Sequence, residues 1–283
     1  MIILCPMNAQ RRVGQKPRRI ILISFFEKVT VDSDISFVVL KLSRKKTHEF
    51  KLQLPLKFRR CYIADSTLEE QLRDPELTRT ELFDAYLPDK GSIMAGEFGE
   101  ILSYHLLKSI YLPIQLSGPL KWRFKPDAKR AVQYTDVVLY HLADPNAPSI
   151  DDLLIAAESK VKSTKTDKHP IQDAIDGSAD DRTHRLAVTL AWLRRRAIKT
   201  NNQVRRKIYD RFIKISAYGS YNRHFKAIAL VDHDLLDQEL SKGIDTAQCF
   251  EKTEILVVSI PDLQKLYECV YSDIISTGNT TAS

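Results

Sequence analysis

Asp136 interrupts the apolar run QYTDVVLYHL (133–142), and Glu158-Ser159-Lys160 closes the next one, LLIAAESK (153–160). Between them ADPNAPSID (143–151) carries two prolines, an asparagine and several acid or serine stops, the composition of a loop. A hairpin folded about Ala147 pairs residues whose numbers sum to 294, and Asp136 with Glu158 is such a pair. Directly opposed side chains share a face with Cβ atoms about 5 Å apart. Lys160, two positions on, falls on that same face. Two carboxylates that close repel, and one must keep its proton unless a cation joins them. Mg²⁺ (or Mn²⁺) suits the set: it takes oxygen ligands, typically one or two carboxylates with water and a substrate phosphate. With Lys160 beside a phosphate oxygen or the attacking water, the pattern reads as metal-assisted phosphodiester hydrolysis. The competing reading is a hairpin with a structural Asp–Lys or Glu–Lys pair, and the ExK triplet alone does not choose between them.

A third acid comes from GEFGE (96–100), where Glu97 and Glu100 sit at i, i+3 on one helical face. Gly96 and Gly99 would let that helix approach another backbone closely. Glu97 ranks ahead of Glu100, which reads more readily as a solvated acid on a packing face.

The elements that must hold these residues follow from periodicity. RIILISFFEKVTV and ISFVVLKLS, within residues 19–54, read as β-structure. Ser66 with Glu69 resembles a capping box opening a helix to Tyr86, and Leu87 to Gly91 breaks the chain. Apolar positions from residue 94 to 107 have a helical period. Pro170 to Lys199 reads as one helix with a Leu186, Leu190, Leu193, Ala197 stripe, and Asn201 caps another reaching about Tyr218. FKAIALVDHD and TEILVVSI read as strands, and Pro261 opens a last helix. The fold class is α/β: a mixed sheet flanked by helices, with a β-rich N-terminal region at 1–88 and the main domain at 89–283. Residues 1–18 look disordered.

Charge is unevenly spread along the 283 residues. Residues 1–60 hold 14 Lys/Arg against 4 Asp/Glu, and residues 61–100 hold 3 against 10. Two later segments are basic, KWRFKPDAKR (121–130) and Arg194 to Lys214. Basic clusters suit a phosphate-backbone binder, although a solvated surface gives the same pattern. Lys121, Arg123 and Lys125, with Lys162 and Lys165 beyond the ExK strand, are the expected DNA-facing residues.

A helix Glu, an Asp on one strand and ExK on the next resemble the PD-(D/E)xK nuclease superfamily, whose restriction-endonuclease-like core runs αβββαβ. The blocks GEFGEILSYHLL, QYTDVVLYHL, LLIAAESKVKST and IQDAIDGSADDRTHRLAVTLAWL resemble more closely the nuclease-subunit family of the Hachiman anti-phage system. That resemblance implies Asp136, Glu158 and the Ser159 carbonyl as metal ligands and Lys160 as the group acting on water and phosphate. Glu97 or Glu100 would be the helix acid. Thr135 stands where the superfamily often has proline. Gln172 occupies a position that is often polar, though an exposed helix residue is the better reading. The implied activity is a Mg²⁺-dependent deoxyribonuclease without strong sequence preference, with DNA and a helicase/ATPase subunit as partners. The alternatives are a restriction or repair nuclease of the same fold, or a non-catalytic DNA-binding subunit. Residues 1–88 would help to dock the helicase, or else only close one side of the sheet.

Other chemistry lacks its motifs. There is no GxxxxGK[ST], HExxH or GxSxG. His105 and His141 read as core or edge residues, Trp192 as core, and Arg182 and Arg185 as partners of Asp180 or Asp181. Four scattered cysteines without CxxC, no signal-peptide pattern and no apolar run long enough for a bilayer point to a cytoplasmic protein with no membrane association.

Overall fold

The computed structural model describes residues 21–31, 36–130, 134–247, 249 and 253–277. The described residues form six strands: β1 (Phe26–Val31), β2 (Ser36–Leu42), β3 (Val137–His141), β4 (Leu153–Lys162), β5 (Asn222–Asp232) and β6 (Thr253–Ile260). They make one mixed sheet in the order β1-β2-β6-β5-β4-β3. The four inner strands run parallel, and the edge strands β1 and β3 are antiparallel to their neighbours. Covered on both faces, β5 and β6 carry the continuous apolar runs that burial demands.

Eleven α-helices are described: α1 (Thr47–Leu52), α2 (Pro55–Tyr62), α3 (Asp65–Gln71), α4 (Arg79–Tyr86), α5 (Ser92–Ile110), α6 (Pro170–Asp180), α7 (Leu186–Lys199), α8 (Gln203–Ile213), α9 (Ile215–Tyr218), α10 (Leu236–Leu240) and α11 (Leu263–Thr277). On one face α2, α5 and α11 share a core in which Phe58, Phe98, Ile101 and Tyr271 meet the strands. On the other, α6 covers β4 and β5, and the Leu186, Leu190, Leu193, Ala197 stripe of α7 packs with Val138, Leu154 and Phe225. None of the described helices is long and apolar enough to cross a membrane.

Several expectations change. Extended structure in the N-terminal stretch ends at Leu42, and helices follow from Thr47. Phe50, Leu54, Phe58 and Tyr62, all buried, recur every fourth residue, and that period prevails over the preceding β-rich run. The helix expected over 66–86 is two, α3 and α4. The capping box belongs to Thr78 and Glu81, with both reciprocal hydrogen bonds present. Asn202, not Asn201, caps α8 by accepting from the Arg205 amide. The αβββαβ order is short of a strand among the described residues: β3 and β4 alone lie between α5 and α6, with a single bridge from Ser117 to Tyr140 beside them. The strands of the N-terminal region join the main sheet, because β2 pairs in parallel with β6 from Ser36↔Glu254 to Lys41↔Ser259. The expectation for residues 1–18 lies outside the described residues.

Candidate active site

The β3–β4 register runs from Val137↔Ala157 to His141↔Leu153, so paired numbers sum to 294 as the loop midpoint suggests. One step beyond β3, Asp136 stands across from Glu158, and its Oδ2 accepts the Ser159 amide at 3.0 Å. Leu154 and Ala156 face the α7 core, so by strand alternation Glu158 and Lys160 point to the α6–α7 face while Ser159 points to α5. The Ser159 hydroxyl lies 3.1 Å from that of Ser103 on α5. A glycine on each flanking helix permits the close approach. A Cβ at Gly177 of α6 would stand 2.6 Å from Glu158 Cδ, and one at Gly99 of α5 would collide with Val161.

Glu158 is 2% exposed. Lys160 Nζ lies 2.5 Å from its Oε1, and Arg185 Nη2 lies 2.5 Å from its Oε2. Burial, and then the charge of Asp136, push the Glu158 carboxyl up to about 7 despite both cations. Burial works against the Lys160 ammonium, but Glu158 and Asp136 outweigh it and hold its pKa above the usual lysine value.

Arg185 reaches Glu158 from a π-helical turn, Asp181–Arg185, where α6 passes into α7. It also donates to Asp181 Oδ1 and to the Gly177 carbonyl, each at 2.6 Å. Asp181 accepts the Thr135 hydroxyl at 2.8 Å. The Thr135 amide donates to Thr189 Oγ1 at 3.1 Å, a bond that proline in this place could not make. The departure from proline thus ties Asp136 to the helix that carries Arg185.

The two α5 acids differ, and in the opposite sense to their ranking by sequence. Glu100 lines a cavity of about 880 Å³ together with Asp136, Glu158, Ser159, Lys160 and Arg185. Its Oε2 accepts from Lys121 Nζ and Trp122 Nε1, both at 3.0 Å. Lys121 Nζ is also 3.8 Å from Asp136 Oδ1. Burial, with Asp136 adding repulsion against the pull of Lys121, pushes the Glu100 carboxyl up to about 8. Glu97 does not line this cavity. It is 1% exposed, accepts the Tyr62 hydroxyl at 2.7 Å and pairs with Lys125.

The basic residues expected on a DNA surface are mostly elsewhere. Lys121 and Lys125 point inward to the α5 acids. Lys162 is 3% exposed, pairs with Glu239 at 2.8 Å, and donates to the Thr166 and Lys168 carbonyls, which fastens the loop after β4. Arg123 donates to the Arg60 carbonyl. Lys165 is exposed, beside a different cavity shared with Asp232, Asp234 and Asp262. For Lys121, Lys125 and Lys162 the cause is shared: buried carboxylates draw cations inward because an unpaired buried charge costs more than a solvated one. Gln172 is half-buried and bonds to Asp176 and to both backbone groups of Asp245. Arg185 does pair with Asp181, as sequence suggests, but its bond to Glu158 depends on the π-turn, for which no sequence signal was available.

The donors facing the cavity are oxygen atoms, the chemistry a hard divalent cation prefers. Among the described residues no three His, Cys, Asp or Glu side chains group closely enough to cage an ion. The fitting set is therefore Asp136, Glu158 and the Ser159 carbonyl, where a cation would take the place of Arg185 or Lys160 at Glu158 and relieve the repulsion from Asp136. No curated protein matches the chain. The sequence pattern of the HamA family matches residues 21–274, almost the full length, and the chain therefore belongs to the HamA family of the Hachiman antiviral defence system.

Proposed function

We propose that this HamA protein is the nuclease of its defence system, a Mg²⁺- or Mn²⁺-dependent enzyme that hydrolyses DNA phosphodiesters. The observation that carries the reading is the convergence of Asp136, Glu158, Ser159 and Lys160 on one cavity, with Glu100 at its edge. Asp136, Glu158 and the Ser159 carbonyl would hold the ion. When bound, it supplies Lewis-acid polarisation of the phosphoryl oxygen and a more acidic water. Lys160, half-exposed at the cavity wall, orients the water or meets charge developing on the phosphate. Arg185 and Lys121 hold Glu158 and Glu100 in place from the protein side. An unregulated nuclease would destroy host DNA, and this sequence has no P-loop, so an ATP-dependent helicase partner would supply the restraint.

The test is conversion of supercoiled plasmid to nicked or linear forms with Mg²⁺ or Mn²⁺ against EDTA. Glu158→Gln and Asp136→Asn should each lower the rate by more than the roughly 10–100-fold that follows loss of a group merely supporting a metal ligand. A second reading has its own support: both Glu158 oxygens already carry cations, as in a structural cluster. A DNA-binding subunit of that kind keeps its affinity in EDTA and leaves plasmid supercoiled under every metal condition.

A further inference from the structure

Beside the carboxylate cavity, α7 and its neighbours form a second surface of aromatic and basic side chains. Tyr134, two residues before Asp136, stacks on Trp192 with ring centroids 5.0 Å apart and planes 26° apart. The Phe124 ring centroid lies 6.1 Å from that of Trp192 in a tilted contact, and the Arg196 guanidinium lies 3.9 Å over the Phe124 ring. All three rings are half-buried, so each also shows surface to solvent. Trp192 packs against the core as its sequence position suggests, and its remaining surface borders a hollow of about 370 Å³ with Arg195, Arg196 and Lys199.

Shared residues set the hollows side by side. A tight crevice of about 10 Å³, with room for no more than a water, lies between Tyr134, Trp192 and Asp136, and Asp136 also lines the carboxylate cavity, so the two surfaces adjoin at Asp136 without an open channel between them. Arg196 and Thr200 carry the surface on into a hollow of about 200 Å³ with Phe124 and Arg205. The cations along this surface differ from their inward-facing neighbours. Arg194 is tied to Asp210 at 2.6 Å. Among the described residues no carboxylate pairs with Arg195, Arg196, Lys199 or Arg205. Burial and the charge of Arg205 lower the pKa of Arg196, a strain that an anion beside both guanidinium groups would relieve.

Unpaired cations next to partly exposed rings are what a single nucleic-acid strand requires: phosphates meet the cations and bases stack on the rings. A duplex keeps its base faces stacked inside and has no use for Trp192 or Phe124. From Trp192 to Lys199 the helix extends about 10 Å, long enough to meet more than one nucleotide. We infer that this surface is a binding track for single-stranded DNA along α7, beside the Asp136–Glu158 cavity. What becomes of the strand at that cavity rests on the nuclease reading, whereas its binding along α7 does not. Stacking accepts every base, which suits cleavage without strong sequence preference.

Binding of a fluorescein-labelled oligo-dT of about twenty residues to the full chain, followed by anisotropy in EDTA, separates the two. The single strand should bind more tightly than a duplex of equal length, and Trp192→Leu should weaken it about tenfold. Trp192 also touches the core, so the paired exposed variant Arg195→Ser/Lys199→Ser carries the decision. It should lower the slope of log affinity against log salt by about 1.4, at roughly 0.7 per phosphate contact. An unchanged slope in that variant, or a preference for duplex, overturns the track. Loss of oligo-dT affinity in the variants with no metal-dependent cleavage by the unaltered chain keeps the track and removes the nuclease reading. Unchanged affinity alongside active cleavage removes the track alone.

Discussion

Two basic stretches, Lys121 to Arg130 and Arg194 to Lys214, look alike in sequence and behave differently in the fold. In the first, Lys121 and Lys125 are four residues apart and meet Glu100 and Glu97, three residues apart on α5, so that two ion pairs lie side by side in the interior. In the second, the cations divide by helix face. Arg194 and Lys214 share Asp210, and Arg211 holds Asp152 at 3.2 Å. Arg195 and Lys199 are exposed, and among the described residues no carboxylate pairs with either. Density of positive charge therefore does not mark a nucleic-acid surface. The acid that the fold brings opposite each cation decides whether it is spent inside or left for a partner.

The largest break in that comparison should come at Lys121. Measured above about pH 8, where Glu100 is ionised, Lys121→Met leaves it buried beside Asp136 without its counter-ion, and should cost about 3–5 kcal/mol in urea unfolding. Adding Glu100→Gln should return most of the loss, since it removes the stranded charge. A Lys121→Met protein as stable as the parent would return Lys121 to the surface class. Lys125→Met should cost less, about 2–3 kcal/mol, because Glu97 retains the Tyr62 hydroxyl.

A pH dependence sharpens the same contrast from the acid side. Glu100 is raised to about 8 and Glu158 to about 7, both first by burial, above the ordinary carboxylate value they take when unfolded. Between that ordinary value and 8 the folded protein binds more protons than the unfolded one, so stability falls as pH rises through the window. Below it both states are protonated and the difference vanishes. Without added metal, Glu100→Gln should gain stability relative to the parent as pH is raised from about 5 to about 8, with denaturant midpoints as the readout. A parent and variant that keep a constant difference across that range would show Glu100 ionised throughout. Excess Mg²⁺ should flatten the parent's slope if the acids hold the ion.

The parts of this site legible in sequence are those governed by local rules. The hairpin register follows from turn chemistry, which supplies a midpoint, and from strand alternation, which then places Asp136 opposite Glu158. The α7 stripe follows from helical periodicity alone. The illegible parts depend on distant partners. Glu97 and Glu100 exchange rank because Tyr62, 35 residues upstream, takes Glu97. Membership of β1 and β2 in the main sheet rests on pairing Ser36 with Glu254, far apart along the chain, which neither strand announces. Arg185 meets Glu158 through a π-turn, and such single-turn distortions recur at functional sites without a composition of their own.

The smallest effects should fall on the outward face of α7, and their smallness is the point. Arg194→Ser breaks a partly exposed pair with Asp210 and should cost about 1 kcal/mol, between the buried and the exposed cases. Arg195→Ser/Lys199→Ser removes two exposed cations that touch no acid, and should shift unfolding by under about 0.5 kcal/mol. It can even stabilise slightly, because Arg205 and Arg196 then sit in a less positive field. If urea unfolding of this double variant instead showed a loss near that of Lys121→Met, the outward cations would be structural and the two basic stretches would be one kind. With stability unchanged, the charges on α7 have no folding role, and the salt dependence of oligo-dT binding then decides between a nucleic-acid contact and a merely solvated face.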